Sequence, residues 1–395
     1  MSFEIALSGI NAVNDQLDSI SNNIANAGTY GYKSSRTNFS ASFSGSSPTG
    51  AAVGSVTQSL ETSGGTLSTG RSMDAALTGR GFFVTKDTGG QNQYTRVGSF
   101  NLDKDGFVTD TLGRKVQGYA AVPGSSVLGA VGNLSVPSGQ IAASASTTMK
   151  YVGNLSSDWP TPAAAFNPVD PQSFNSSQVS VLYDSLGAQH SLTQYFVKGA
   201  GNTVTAQYAL DGVMAPAAPT TMNFGTDGQL TAPTGPVTLA LGTPTGAATL
   251  SVGVDYTGTT LFAGEATTSA NSASGYASGT LIGTEISEGG EIMAKYSNGQ
   301  KQSIGTLAIA TFPDEGGLKQ VSGTSWEASS KSGTPLLFAP GSGMVSPLTV
   351  GAVEQSNVDI TGELVNLMGA QRNYQANAKV ISTENQMVQA LLQAV

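Results

Sequence analysis

Apolar residues recur at intervals of seven at both ends of this chain, while glycine-containing turns cut its middle into short apolar stretches. Near the start, Phe3, Ile10, Leu17 and Ile24 form one series, and Ala6, Val13, Ile20 and Ala27 form a second, three residues on. This is the a/d seam of one helix. Ser2 is placed to cap it, Glu4 suits its first turn, and Gly28 suits a left-handed residue at its end. Toward the C-terminus, Ile360, Leu367, Tyr374, Ile381, Val388 and Val395 repeat the interval, with Leu364, Gln371, Ala378, Asn385 and Leu392 as companions and Asp359 as N-cap. Polar Gln371 and Asn385 within the seam are a usual device for fixing register. Two readings stand. The helices pair or cover a core inside one monomer, or they form a seam between subunits. Their place at opposite ends favours the assembly seam, and an internal pair can still bury other faces against neighbours.

The middle is predicted to be β-rich. Stretches such as Gly81 to Thr85, Val179 to Tyr183, Leu192 to Val197 and Ile304 to Phe312 are bounded by turn signals. Asp105-Gly106, Asp211-Gly212, Asp227-Gly228 and Asn298-Gly299 mark hairpins. The expected fold is therefore mainly β with α-helical termini. Four regions follow: a helical inner domain from 1–28 plus 358–395, an extended connecting segment over 29–71, a β-rich domain from 72–148 plus 285–357, and an inserted outer β domain over 149–284.

Charge narrows the partners. Only 11% of the residues are charged, so surface contacts rest on small neutral side chains. Between Val116 and Ala294 the Lys/Arg set is Lys150 and Lys198 alone, and the net charge is −9. Phosphate binding needs clustered cations, so nucleic acid is not an expected partner. The absence of cysteine removes disulfides, thiolate metal sites and Cys nucleophiles. The N-terminus lacks the pattern of a cleaved signal peptide, and no apolar run reaches the length of a membrane span. Export would then use an uncleaved N-terminus, without membrane insertion.

Catalytic and metal chemistry find no support. Asp103 to Asp110 resembles a calcium loop but lacks the acidic residue at its twelfth place, and Gly106 stands at the wrong position, so a hairpin is expected. Gly79-Arg80-Gly81 is half of a phosphate loop with no following helix. His190 is the single histidine and reads as a loop residue without a role. The chain is expected not to be an enzyme and to hold no cofactor.

Three segments carry a resemblance. Ser21 to Lys33, with Ala25-Asn26 and Gly31-Tyr32-Lys33, resembles the N-terminal signature of bacterial flagellar rod and hook axial proteins, with Tyr30 where Thr is more usual. Gly79 to Val84, Tyr94 to Phe100 and Val116 to Tyr119 are similar to that family's central segment. Glu354 to Asp359, with Gln371-Arg372-Asn373-Tyr374, resembles its C-terminal signature. The resemblance implies a helical homopolymer and a hook-type subunit rather than a shorter distal rod subunit, given the inserted domain and the return strands from Lys295 to Phe312. It also implies contact with distal rod, hook cap and hook–filament junction proteins and with the flagellar export apparatus. A distal rod subunit remains one alternative, and a secreted β-rich adhesin, which would not explain the paired heptads, is another.

Overall fold

The structure, a computed structural model, describes residues 2–44, 47–122, 127–136 and 139–394; Val395 lies outside them. The chain folds into two compact units. The first comprises Met1–Ser138, Gly283–Lys295 and Lys301–Val395, and the second Gly139–Ile282 and Tyr296–Gln300.

In the first unit, helix α1 (Ser2–Ala25) and helix α2 (Ile360–Ala394) are the chain's two α-helices among the described residues. Gly28 is not the left-handed residue expected at the end of α1. That conformation falls three residues later, at Gly31, with φ +67°. Turn hydrogen bonds from Ala27 N to Ile24 O (3.3 Å) and Thr29 N to Asn26 O (3.0 Å) first carry the chain away from the helix.

The segment 29–71 is not an extended connector throughout. Strands β1 (Ser35–Ser44) and β2 (Ser47–Gln58) pair antiparallel as a long hairpin with two register shifts. Few apolar residues alternate there, which is why the pattern is silent. Hydroxyls supply the specificity instead: Ser19 Oγ meets Thr37 Oγ1 at 2.8 Å, and Ala51 N donates to Ser8 Oγ at 3.2 Å, both tying the hairpin to α1. At its base, Gln58 Oε1 accepts from Trp326 Nε1 at 2.6 Å.

The β body of this unit is built around Phe82–Lys86, which pairs with Asn92–Thr95, Lys115–Ala120 and Ile309–Thr311. Its core gathers Phe82, Val84, Tyr94, Phe312 and Trp326 with Leu60 from beyond the hairpin. Phe82 lies 5.5 Å from Trp326, and Tyr94 stands edge-on to Phe312 at 4.8 Å, geometries that add to plain area burial. Two short pairings join distant parts of the chain: Thr66–Ser68 with Ala352–Glu354, and Ala75–Leu77 with Leu348–Val350. The Asp103 loop is a hairpin turn, with Asp103 Oδ1 accepting from Asp105 N and Phe107 N.

The second unit is a two-sheet β structure. One sheet runs Val237–Gly242, Leu250–Asp255, Thr148–Asn154, Thr267–Ala273; the other runs Ser176–Tyr183, Gln189–Lys198, Thr203–Leu210, Thr220–Phe224, Leu230–Ala232. Leu192, Gln194, Phe196 and Lys198 point inward on alternate positions. Leu192 and Phe196 share one core with Tyr151, Val252 and Val254 of the other sheet. The buried tyrosine hydroxyls are paired, as burial favours: Tyr208 and Tyr256 share a hydroxyl hydrogen bond of 2.9 Å, and Tyr256 donates to Gln194 Oε1 at 2.6 Å. This unit differs from the expected inserted stretch 149–284 at both ends, and strand pairing is the reason. Gln140 lies opposite Thr280 and Ile141 opposite Gly279. Asn298 Nδ2 donates to Ala277 O at 2.6 Å, which brings the 296–300 turn in as well.

Candidate assembly site

The two helices lie antiparallel. A Cβ on Gly9 would come within 2.9 Å of Asn377 Nδ2, while Asn23 Nδ2 donates to Glu363 Oε1 at 2.8 Å, so low numbers in α1 face high numbers in α2. Between these points Val13, Ile20 and Ala370 form a small core, flanked by Leu17, Ile24 and Leu367. The companion series facing α1 is thus Glu363, Ala370 and Asn377, one residue before the expected Leu364, Gln371 and Ala378. Three- and four-residue steps both keep to one helix face. Small residues decide between them, because Gly9 and Ala370 let the backbones approach closely.

Half of the expected seam is used in this way. Ala6, Val13 and Ile20 are buried, and Ile10, Leu17, Ile24, Leu367, Ala378 and Ile381 are half-buried. Phe3, Ile360, Leu364, Tyr374, Val388 and Leu392 remain exposed, Leu392 by 75%. Gln371 and Asn385 are exposed too, so neither fixes register between α1 and α2; Glu363 and Asn377 are polar residues that meet α1. Arg372 and Asn373 are exposed, and Arg372 Nε turns back to Met368 O at 3.4 Å. Because α2 has 35 residues against 24 in α1, its last turns outrun the partner and carry exposed Met387, Val388, Leu391 and Leu392. Such an apolar stripe on two paired helices is a surface for association.

Below the helices the terminal segments are clasped to the β body by buried polar groups. Lys33 Nζ reaches Glu354 Oε1 at 2.7 Å and Thr62 O at 2.7 Å; Gly64 N also donates to Oε1 at 3.0 Å. Arg96 Nη1 lies 3.4 Å from Glu354 Oε2 and donates to Gly79 O at 2.6 Å, with the guanidinium 5.0 Å from the Phe82 ring. The side chains of Lys33, Arg96 and Glu354 have no exposed surface. Burial, and then the charge of Arg96, pull the Lys33 ammonium below its usual range, with Glu354 opposing.

Two asparagines complete the clasp. Asn23 Oδ1 accepts from Ser35 N (2.9 Å) and Tyr32 Oη (3.3 Å), and its Nδ2 also donates to Ser35 O. Asn357 Oδ1 accepts from Ser34 N (2.8 Å), while Nδ2 donates to Ser59 O and Thr62 O. Of the motif residues, Tyr32 and Lys33 are buried here and Gly31 makes the turn, while Ala25 is exposed and Asn26 Nδ2 donates back to Asn22 O in α1. Asn23, Arg96, Glu354 and Asn357 lie within the segments that carry the family resemblance, but no individual role for them was legible in the sequence. The available signal was the scarcity of charge, with Glu354 closing the short apolar strand Ala352–Glu354 and Arg96 directly following Asn92–Thr95.

Gly31 gives a direct check. A Cβ there would sit 3.0 Å from Val97 N and Cγ2 at a left-handed φ. Gly31→Ala should cost about 2 kcal/mol, from the left-handed penalty plus crowding. Thermal melting should register a loss of several degrees; an unchanged transition would show that the turn is not under this constraint.

Residues 3–33 match the flagella basal body rod protein profile, 76–150 the flagellar hook protein FlgE/F/G D1 domain, 154–276 the flagellar basal body protein FlaE D2 domain, and 349–394 the flagellar basal body rod FlgEFG protein C-terminal profile. The flagellar hook protein FlgE of Salmonella typhimurium is 36% identical over 99% of both chains. That of Escherichia coli is 35% identical over 99% of both, and that of Treponema pallidum 31% over 98% of this chain and 97% of its own. In fold, the chain is similar to the Helicobacter pylori flagellar hook protein FlgE2, with a TM-score of 0.52 over 73% of this chain and 99% of that one, at 13% identity. The chain belongs to the flagellar hook protein FlgE family.

Proposed function

We propose that this hook subunit polymerises through the part of its helical seam that α1 and α2 leave uncovered. The supporting observation is the exposed row Leu364, Val388 and Leu392 on a helix pair whose other face is already filled. In this reading the helices form the inner wall of a tube and the β-rich units face outward. The clasp of Lys33, Arg96 and Glu354 passes load from helices to β body. A bending tube needs outer contacts that slide, and the low charge content suits this, since no buried ion pair between subunits has to break in each rotation. As a member of its family the chain acts as a structural protein of the flagellum. The proposal extends to end contacts with distal rod, hook cap and hook–filament junction proteins, after export with the N-terminus intact.

Excision of the second unit tests the division of labour. Ile141 and Gly279 are paired neighbours, so 142–278 can be replaced by a short Gly/Ser bridge. The shortened chain should fold, as judged by circular dichroism, and still form tubes of altered curvature or stiffness. A folded product that forms no tubes would contradict the assignment of tube contacts to the helices.

A further inference from the structure

The single histidine sits in a site that the assembly reading does not use. His190, near the start of the Gln189–Lys198 strand, lies between two turns of the second unit. Its Nδ1 is 2.6 Å from Asp211 Oδ2, in the turn after Thr203–Leu210, and its Nε2 is 3.3 Å from Asp184 Oδ2, in the turn after Ser176–Tyr183. Both carboxylates also accept backbone hydrogen bonds, Asp184 from its own turn and Asp211 from the strand that carries His190. Asp184 Oδ1 accepts from Leu186 N (2.8 Å) and Ala188 N (2.9 Å), and Asp211 Oδ1 accepts from Ser191 N (2.8 Å).

We propose that His190 is a proton-operated clamp, which as imidazolium ties the Asp184 turn to the Asp211 turn and when neutral keeps only one of the two ties. A neutral ring has one N–H and one acceptor nitrogen. Here both nitrogens face carboxylate oxygens, so deprotonation sets a lone pair against an anion on one side. The two nitrogens meet separate carboxylates, and among the described residues no group of three or more His, Asp or Glu side chains is placed to hold a metal ion.

The charged groups facing the ring are Asp184 and Asp211. The unit's two cations are engaged elsewhere: Lys198 Nζ donates to Gly201 O at 2.6 Å, and Lys150 stands near Asp255. The Tyr183 hydroxyl beside the site accepts from Gln189 Nε2 at 3.2 Å. The hydrogen bond to Asp211, and then that to Asp184, raise the ring's pKa against partial desolvation. Partial burial opposes ionisation of Asp184 and Asp211, but hydrogen bonds from backbone N–H groups and His190 outweigh it and hold both carboxyls low.

The sign follows from linkage. A histidine whose folded pKa is raised contributes stability fully below the unfolded value, and that contribution is lost as pH rises through the folded pKa. The lowered carboxyl pKa values bound the other side, where stability falls as they protonate. The clamp is therefore closed in mild acid and half-open in alkali.

Imidazole NMR on the whole chain reads this without interference, since there is one histidine. The titration midpoint should lie above the unperturbed value of about 6.5 and move toward it in Asp211→Asn. Amide exchange at Leu186, Ala188 and Ser191, corrected for intrinsic rates, should be slower below the midpoint than above it, and His190→Gln should abolish that difference while the β fold persists. A wild-type midpoint at or below 6.5 overturns the proposal. So does exchange that ignores the titration.

Discussion

Glu354→Gln should lower the melting temperature of the first unit by roughly 10 °C, because it removes the carboxylate that contacts two fully buried cations. Breaking a buried pair from one side costs about 3–5 kcal/mol, and each kcal/mol is worth about 2–4 °C in a unit of this size. The substitution keeps shape and some hydrogen bonding but takes away the carboxylate bonded to Lys33 and Arg96, leaving only the more distant Glu315 to offset them. Lys33→Met should be milder, about 1–3 kcal/mol, since Arg96 and Gly64 N still face Glu354. The pH dependence separates this account from simple loss of packing. Folded Lys33 holds its proton less tightly than an unfolded lysine. The folded state therefore sheds that proton first as pH rises, and this group's contribution to stability increases toward the ordinary lysine range. Removing Glu354 steepens the trend, so the deficit of Glu354→Gln should shrink between about pH 7 and about pH 9.5. A shift of melting temperature under about 2 °C, or a deficit constant with pH, would show that the clasp carries no charge-dependent load.

The sequence made the helices legible because heptads are a local signal, and likewise the turns at Gly106, Gly212, Gly228 and Gly299, which all adopt positive φ. The β1–β2 hairpin was hidden for a physical reason. Its order rests on Ser, Thr and Asn contacts such as Asn38 Nδ2 to Ser55 Oγ and Thr57 Oγ1, which leave no apolar period behind. The clasp was hidden by separation, since Lys33 and Glu354 lie 321 positions apart. The companion series of α2 was legible only to within one residue. Leu364 and Ala378 look like seam residues by hydrophobicity, yet close packing selects Ala370 against Val13 and Ile20, and Asn377 against Gly9. In the proposed assembly, residues displaced from the internal pair in this way are the ones left for a neighbour.

Val388→Asp and Leu364→Asp should therefore block assembly while sparing the monomer. Both residues are about half exposed in the isolated chain, so the carboxylate stays hydrated and melting should be unchanged. On polymerisation the same carboxylate enters an apolar contact at a cost of about 3 kcal/mol or more, unless paired. That is about a 100-fold rise in the critical concentration for tube formation. Leu17→Asp differs in kind, because Leu17 already packs against the α1–α2 core and its loss should loosen the helix pair in the monomer as well. Ser21→Asp, exposed and outside both series of the α1 seam, is the mild control.

The most direct measurement is electron microscopy of the concentrated wild-type and Val388→Asp proteins side by side, with monomer melting recorded for each. Tubes from wild type and none from Val388→Asp, at equal melting temperatures, is the result expected if the uncovered seam carries the polymer. Tubes of normal form and yield from Val388→Asp would contradict it.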